Sequence, residues 1–312
     1  GYNFSKRSYL DTYGHILFQN KSMLVCQECG FGQIHPKIEK KELNDFYENY
    51  WRSKKSPAFL DFREWSLSKN IADPRSISQL LIGTQYLKNK QQYLFMDIGP
   101  GIGWSFISAE KILGNVKTFT IELCREAKDY YLRNLDNITI FNSFSEIENK
   151  MDIVLMSHSL EHFDSDDISD LFFDLHRILD ENGILIIDVP NEMPMHYATN
   201  HTPHLCFFTL KSLKKLANKF KKEFELCFVD TVDMLIVEDL KISKLRLEGN
   251  MAKKVSFNWL RSFVKKTIVK LGLYGFYRLF KRATNIDQLF NTSSFKYGGE
   301  RVAIRCVFKK RS

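Results

Sequence analysis

Three groups of residues have types and spacings suited to chemistry. The first is Asp97-Ile98-Gly99-Pro100-Gly101-Ile102-Gly103, directly after an apolar run that starts at Tyr93. Glycines at a strand-to-helix turn let a ligand approach the backbone where side chains would exclude it. A dinucleotide fingerprint needs a further glycine at position 104, where Trp104 stands, so a nicotinamide cofactor is disfavoured. Glu122, with Leu123 beside it, ends the next apolar run 19 residues after Gly103. A carboxylate there is placed to accept hydrogen bonds from both ribose hydroxyls of an adenosine. The second group is a set of histidines, His158, His162, His196, His201 and His204, all downstream of the fourth and fifth apolar runs. Imidazole titrates near neutrality and suits proton removal from an acceptor. The third is Cys26-x-x-Cys29-Gly30 near the amino terminus.

The elements that must position these residues are legible from residue 93 onward. The runs 93–99, 116–123, 138–141, 151–158 and 183–190 are short, dense in β-branched and aromatic residues, and separated by helix-length stretches. That pattern predicts buried parallel strands in βαβ units. Leu171–Leu179 has a helical apolar stripe, and Asn182-Gly183 is expected to stop that helix. Further helices are expected at Ser76–Leu87 and Leu210–Phe220, and further strands at 224–232 and 301–308.

The order Asp97, Gly99, Gly101, Gly103 and Glu122 resembles the cofactor segments of class I S-adenosylmethionine-dependent methyltransferases. MDIVLMSHSLEHFDSDD is similar to that family's fourth-strand segment, and LDENGILIIDVPN to its fifth. HTPHLCFFTLKSLKKL (201–216) is similar to a His, Phe-Ser/Thr, Ser-Leu segment beside the substrate. The resemblance implies an α/β fold with a Rossmann-like seven-stranded sheet, its last strand antiparallel, and helices on both faces. It implies S-adenosylmethionine as cofactor, held by Asp97, Gly99, Gly101, Gly103, Glu122 and Leu123. Asn142, Ser143 and Phe144 would lie near adenine, and His158 near the methyl donor. For proton removal or acceptor contact His204 is the first candidate and His158 the second. Glu161, His201, Tyr47 and Tyr50 are expected on the acceptor side. His162 reads as a residue that orients its turn, and His196 and His201 read as surface residues of a polar loop. The histidines have no ordered ligand spacing, so no metal is assigned to them.

The segment 25–51 resembles a zinc-ribbon-like module ahead of many bacterial sugar- and lipid-pathway methyltransferases. It keeps the second half of that module (Cys26, Cys29, Gly30, Pro36, Tyr47, Tyr50) and lacks the first. Two thiolates do not close a structural zinc site, and neither His15 nor His35 has a finger spacing, so no zinc is expected. The resulting division is a cap at 1–92, a core at 93–232, an insertion at 233–300 and a final core strand at 301–312.

The 312 residues, 44% hydrophobic and 26% charged, have the balance of a globular chain. Six scattered cysteines do not make a disulfide scaffold, and no run reaches the roughly 18 apolar residues of a membrane span. A cytoplasmic location is expected. The net charge of +8 favours anionic partners. Within the insertion, nine lysines and arginines fall between Lys253 and Arg282, with no acidic residue from Asn250 to Ile286. A basic amphipathic helix there either touches an anionic membrane peripherally or packs on the core with a solvated basic face. No nucleic-acid-binding module is recognisable. The resulting expectation is an O-methyltransferase acting on a sugar or other small acceptor, phosphorylated, nucleotide-linked or lipid-linked, in surface-glycan biosynthesis. Quinone- or tRNA-directed methylation, N- or C-methylation, and a non-catalytic binding module are the alternatives.

Overall fold

The computed structural model describes residues 3–11, 13–59, 74–191, 201–232 and 303–311. The basic segment 253–282 and His196 lie outside the described residues. Among the described residues no helix is long and apolar enough to cross a membrane.

The core sheet is built from β4 (Tyr93–Ile98), β5 (Val116–Ile121), β6 (Ile138–Phe141), β7 (Met151–Ser157), β8 (Leu179–Pro190), β10 (Phe224–Val232) and β11 (Ala303–Lys310). Its order is β10-β11-β8-β7-β4-β5-β6, and β11 runs antiparallel to both neighbours. This is the seven-stranded Rossmann-like sheet that the sequence predicts. Period-two alternation divides the strands between two faces. Met96, Ile98, Val154, Met156, Leu185 and Ile187 pack with α5 (Ile168–Ile178) and α6 (Leu210–Lys219). Phe95, Ile153, Leu155, Ile184 and Ile186 face the opposite way, with Leu80 of α2 (Pro74–Gly83) and Phe106 of α3 (Trp104–Leu113). α4 (Arg125–Asn134) buries Ala127, Tyr130 and Tyr131 beside α2 and α3. Each fully buried aliphatic or aromatic side chain contributes about 1.5–3 kcal/mol.

Three features differ from the pattern reading. α2 falls in the span read as cap, but it packs on the sheet, so close that a Cβ on Gly83 would lie 2.4 Å from Ile186. The helix expected to run to Asn182-Gly183 ends at Ile178, because β8 starts pairing with β7 at Leu179. Asn182 does take φ 65°, but within an irregularity of β8 and not as a helix stop. Finally, the cap has its own sheet. β1 (Phe4–Ser8), β2 (Ser22–Cys26) and β3 (Gly32–His35) pair antiparallel with β9 (Cys206–Phe207), a two-residue strand contributed by the core segment after β8. α1 (Lys40–Asn49) buries Leu43 and Phe46 against Phe18, Ile34 and Leu205.

The segment similar to the substrate-side signature serves as the latch between the two parts. Thr209 and Ser212 form a reciprocal capping box at the start of α6. The Thr209 hydroxyl also donates to the Cys29 carbonyl at 2.6 Å. Ion pairs from Lys37 to Asp164 and Asp166, at 2.6 and 2.5 Å, add a second clasp.

Candidate active site

The donor half is made largely of backbone. β4 lies next to both β5 and β7, and the chain's direction of travel through the sheet reverses there. The crevice outside the carboxyl ends of such strands is where open α/β sheets bind ligands. Gly99, Gly101 and Gly103 fill the turn at φ 69°, 60° and 82°, a region that side chains with a Cβ rarely adopt. The turn is pinned by Gly103 N–H to Pro100 O and Gly99 N–H to Ile121 O, each at 3.0 Å, and by the Tyr131 hydroxyl on the Gly101 carbonyl. Asp97 is 1% exposed, and burial pushes its carboxyl up to about 7 against the opposing pull of Ser105. Glu122 leaves the end of β5, where its Oε1 accepts the N–H of Cys124 at 2.9 Å. Burial raises the Glu122 pKa, with the Cys124 and Leu123 N–H groups acting in the other direction.

The acceptor half is made of side chains. His158, the first residue after β7, has φ 55°. A left-handed conformation on a non-glycine residue is strain that the surrounding structure must hold in place. The hold comes from the end of β8: His158 N–H donates to the Asp188 carbonyl at 2.8 Å. Asp188 in turn receives Gln79 of α2 at 2.6 Å and Arg305 of β11 at 2.8 Å, and Arg305 reaches Ser78 at 2.7 Å. The His158 Nδ1 lies 3.5 Å from the Glu161 carboxylate, which is 1% exposed, while its Nε2 is buried with no hydrogen-bond partner among the described residues. Burial pushes the Glu161 carboxyl up, but His158, in contact through its Nδ1, together with His162 and His204, outweighs it and brings the carboxyl down to about 2. Burial lowers the His162 pKa to about 4 despite the attraction of Glu161, leaving that ring neutral. Its Nδ1 lies 3.0 Å from the Tyr47 hydroxyl, and its ring centroid is 5.2 Å from that of His204. His204 is therefore brought to the same cluster from 42 residues downstream.

Residues 74–221 match a family model described as a methyltransferase domain. Residues 74–221 therefore carry an S-adenosylmethionine-dependent methyltransferase domain. The chain's fold is similar to that of the plantazolicin methyltransferase BpumL, solved with a triazolic desmethylPZN analogue and SAH. The TM-score is 0.50 at 14% identity, over 87% of this chain and 98% of that one. Also similar is the cyclopropane synthase MmaA2 of Mycobacterium tuberculosis, with TM-score 0.48, 15% identity, and 86% and 98% of the two chains covered. Coclaurine N-methyltransferase gives TM-score 0.44 and 14% identity, over 75% of this chain and 70% of that one. At these identities the likeness speaks to fold alone. No curated protein matches the sequence.

The methyltransferase places its sequence-predicted residues unevenly. Asp97, the three glycines, Glu122 and Leu123 share the carboxyl edge of β4 and β5. Asn142, Ser143 and Phe144 follow β6. There Asn142 is exposed and bonded to Glu146, and Phe144 packs partly against the core. His201 needs correcting in one respect: it is not a surface residue. Only 4% exposed, it accepts the Leu10 N–H at 2.9 Å and packs on Tyr9 and Phe207, so it joins cap to core. Tyr50 lies in the cap's aromatic cluster against His15, with ring centroids 4.3 Å apart. Tyr47 alone of the two tyrosines is seen bonded to the histidine cluster. Among the described residues no third metal-binding side chain gathers with Cys26 and Cys29. Sequence reasoning missed Gln79, Asp188 and Arg305, which hold the end of β7. A buried arginine in the final strand was the available signal.

Proposed function

We propose that this methyltransferase moves the methyl group of S-adenosylmethionine to a hydroxyl oxygen of a sugar or other small acceptor in bacterial surface-glycan biosynthesis. Asp97, the glycine turn, Glu122 and Leu123 hold the donor, with Asn142–Phe144 toward adenine. The observation that carries the reading is His158. Its Nδ1 faces a buried carboxylate and its Nε2 has no hydrogen-bond partner among the described residues, beside the turn expected to admit the methionine part. A carboxylate behind one ring nitrogen fixes the imidazole and supports the positive charge that forms when the other nitrogen takes a proton. The acceptor oxygen then forms its bond to the methyl carbon as the carbon–sulfur bond breaks, and S-adenosylhomocysteine leaves. His204, whose ring centroid is 5.2 Å from that of His162, supplies a further imidazole on the acceptor side.

The sugar class is supported by the cap's likeness to modules of sugar-pathway enzymes. A polar acceptor side of imidazoles and the Tyr47 phenol also suits a ligand rich in hydroxyls. The half-buried Arg52 guanidinium, bonded to the Ala58 carbonyl, lies within electrostatic reach of both Glu122 and His162. That charge suits a phosphorylated or nucleotide-linked acceptor.

The test is incubation with S-adenosylmethionine and a panel of sugar nucleotides, read by mass spectrometry for a product heavier by one CH2 with matching S-adenosylhomocysteine. His158→Gln should lower kcat by about 10²–10⁴ with the S-adenosylhomocysteine Kd unchanged. An unchanged kcat, or turnover confined to amine acceptors, refutes the assignment.

A further inference from the structure

We propose that Glu161, His162 and His204 form a binding site for a first-row divalent transition cation of the zinc type, which holds the acceptor hydroxyl. This rests on the methyltransferase reading of the acceptor side and adds a component to it. One ligand atom from each of the three side chains lies within 4.8 Å of the others. Ligands of such ions sit at about 2.0–2.2 Å from the metal, so side-chain rotations of about an ångström would bring all three into reach.

Two observations point to a ligand. The Glu161 carboxylate is 1% exposed; its Oε1 faces His158 Nδ1 at 3.5 Å, and its Oε2 has no hydrogen-bond partner among the described residues. A buried carboxylate oxygen left in that condition is costly unless a positive charge meets it. His158 faces Oε1, which leaves Oε2 for a cation. Secondly, His162 has the outer partner that metal-bound imidazoles usually have. The Tyr47 hydroxyl donates to the Pro203 carbonyl at 3.3 Å and so can accept from His162 Nδ1–H at 3.0 Å, which makes Nε2 the nitrogen with the lone pair. Two imidazoles and one carboxylate, with a position left open, suit Zn2+, Fe2+ or Co2+ over the oxygen-seeking Mg2+ and Ca2+. The open position takes the acceptor oxygen. The cation weakens the O–H bond, the proton passes to His158 Nε2, and the oxygen attacks the methyl carbon as before. Sequence spacing does not reveal this set, because His204 comes from a different segment.

The experiment uses untagged, chelator-treated full-length protein. Zn2+ binding is measured by calorimetry and Co2+ binding by its visible absorption, with S-adenosylhomocysteine binding measured in the same metal-free sample. The expected result is one equivalent of Zn2+ bound by wild type and by Cys29→Ser. Binding is lost in His204→Ala and Glu161→Gln, and weakened about tenfold in Tyr47→Phe. His204→Gln replaces any variant that no longer binds S-adenosylhomocysteine. No Zn2+ binding by wild type, retention in His204→Ala, or loss in Cys29→Ser overturns the proposal. If S-adenosylhomocysteine binds while Zn2+ does not, the metal site fails and the methyltransferase reading stands. If S-adenosylhomocysteine does not bind, the donor reading fails instead.

Discussion

Replacing Glu122 by glutamine separates a ribose ligand from a structural carboxylate. In the structure Oε1 already accepts the Cys124 N–H, so Oε2 is the oxygen available to the cofactor hydroxyls. A hydrogen bond to a charged group contributes roughly 1.5–3 kcal/mol, and a neutral one roughly 0.5–1.5. Glutamine keeps the shape but forces a choice. Its oxygen stays on Cys124 and its NH2 faces the ribose, or its NH2 faces the Cys124 N–H and one donor goes unmatched. Either arrangement loses the charge assistance and one well-matched bond, about 2–3 kcal/mol in total. At about 1.4 kcal/mol per factor of ten, S-adenosylhomocysteine binding should weaken roughly 30- to 150-fold. Folding should respond differently. Burial raises the Glu122 pKa, so the free protein is under strain to keep the carboxylate charged, and the neutral amide removes that strain. Calorimetric titration with S-adenosylhomocysteine, alongside thermal melts of the ligand-free protein, reads both quantities. A Kd within threefold of wild type would show that Glu122 does not hold the ribose. A melting temperature several degrees lower would show that the carboxylate's work is local, through Cys124.

Two further outcomes follow from the buried charges behind the site. Asp97 has its pKa raised from 3.8 to about 7, so the folded protein keeps a proton that the unfolded chain releases. Its contribution to stability is present below about pH 4 and is lost as pH rises through about 7, a change of about 4 kcal/mol. Glu161 has the opposite sign, since its contribution is lost only as pH falls toward about 2. Urea midpoints of wild type minus Asp97→Asn across that range isolate the Asp97 slope, and a pH-independent difference refutes it. Arg305→Leu leaves the Asp188 carboxylate, 1% exposed at the side chain, with Gln79 as its remaining polar contact. Breaking a buried pair costs about 3–5 kcal/mol, a fall in Tm of roughly 10 °C at this size, and Asp188→Leu/Arg305→Leu should recover part of it. A shift below about 2 °C would mean the pair does not support the sheet.

The parts of the fold that read clearly from sequence are those where burial acts on both faces of a strand. β4, β7 and β8 are nearly continuous apolar runs because helices cover them above and below. The cap strands gave no such signal. β1 alternates between exposed and half-buried residues, FSKRS, and pairs only because β2 lies beside it. β9 is two residues long and is defined by Gly32 and Gln33 opposite it. The same contrast runs through the site. The donor turn was legible because φ near +70° requires glycine at three fixed places. His201 was misjudged because polar neighbours suggest a loop, whereas Leu10 and Tyr9 bury it from a segment about 190 residues away. Glu161 and His162 are adjacent in sequence, but their meaning depends on His204 and Tyr47, whose approach is set by tertiary packing.

The two halves of the site therefore differ in how they can change. The donor half depends on main-chain conformation fixed by β4, β5 and Tyr131, so a substitution at any of its glycines meets strain before it alters selectivity. The acceptor half depends on side chains held from three directions. Asp188, Gln79 and Arg305 brace His158 from the sheet, Tyr47 braces His162 from the cap, and the latch at Thr209 fixes the segment that carries His204. The Thr209 hydroxyl ties that segment to Cys29, whose turn closes through Gly30 N–H on the Cys26 carbonyl at 2.8 Å. The Cys-x-x-Cys-Gly turn thus has a mechanical role that does not depend on metal. It holds the cap in register with α6, and through α6 and β9 it sets the distance between Tyr47 and the histidines. Loosening that turn should disturb acceptor chemistry while leaving the adenosine site intact, because no element of the cap sheet pairs with β4 or β5.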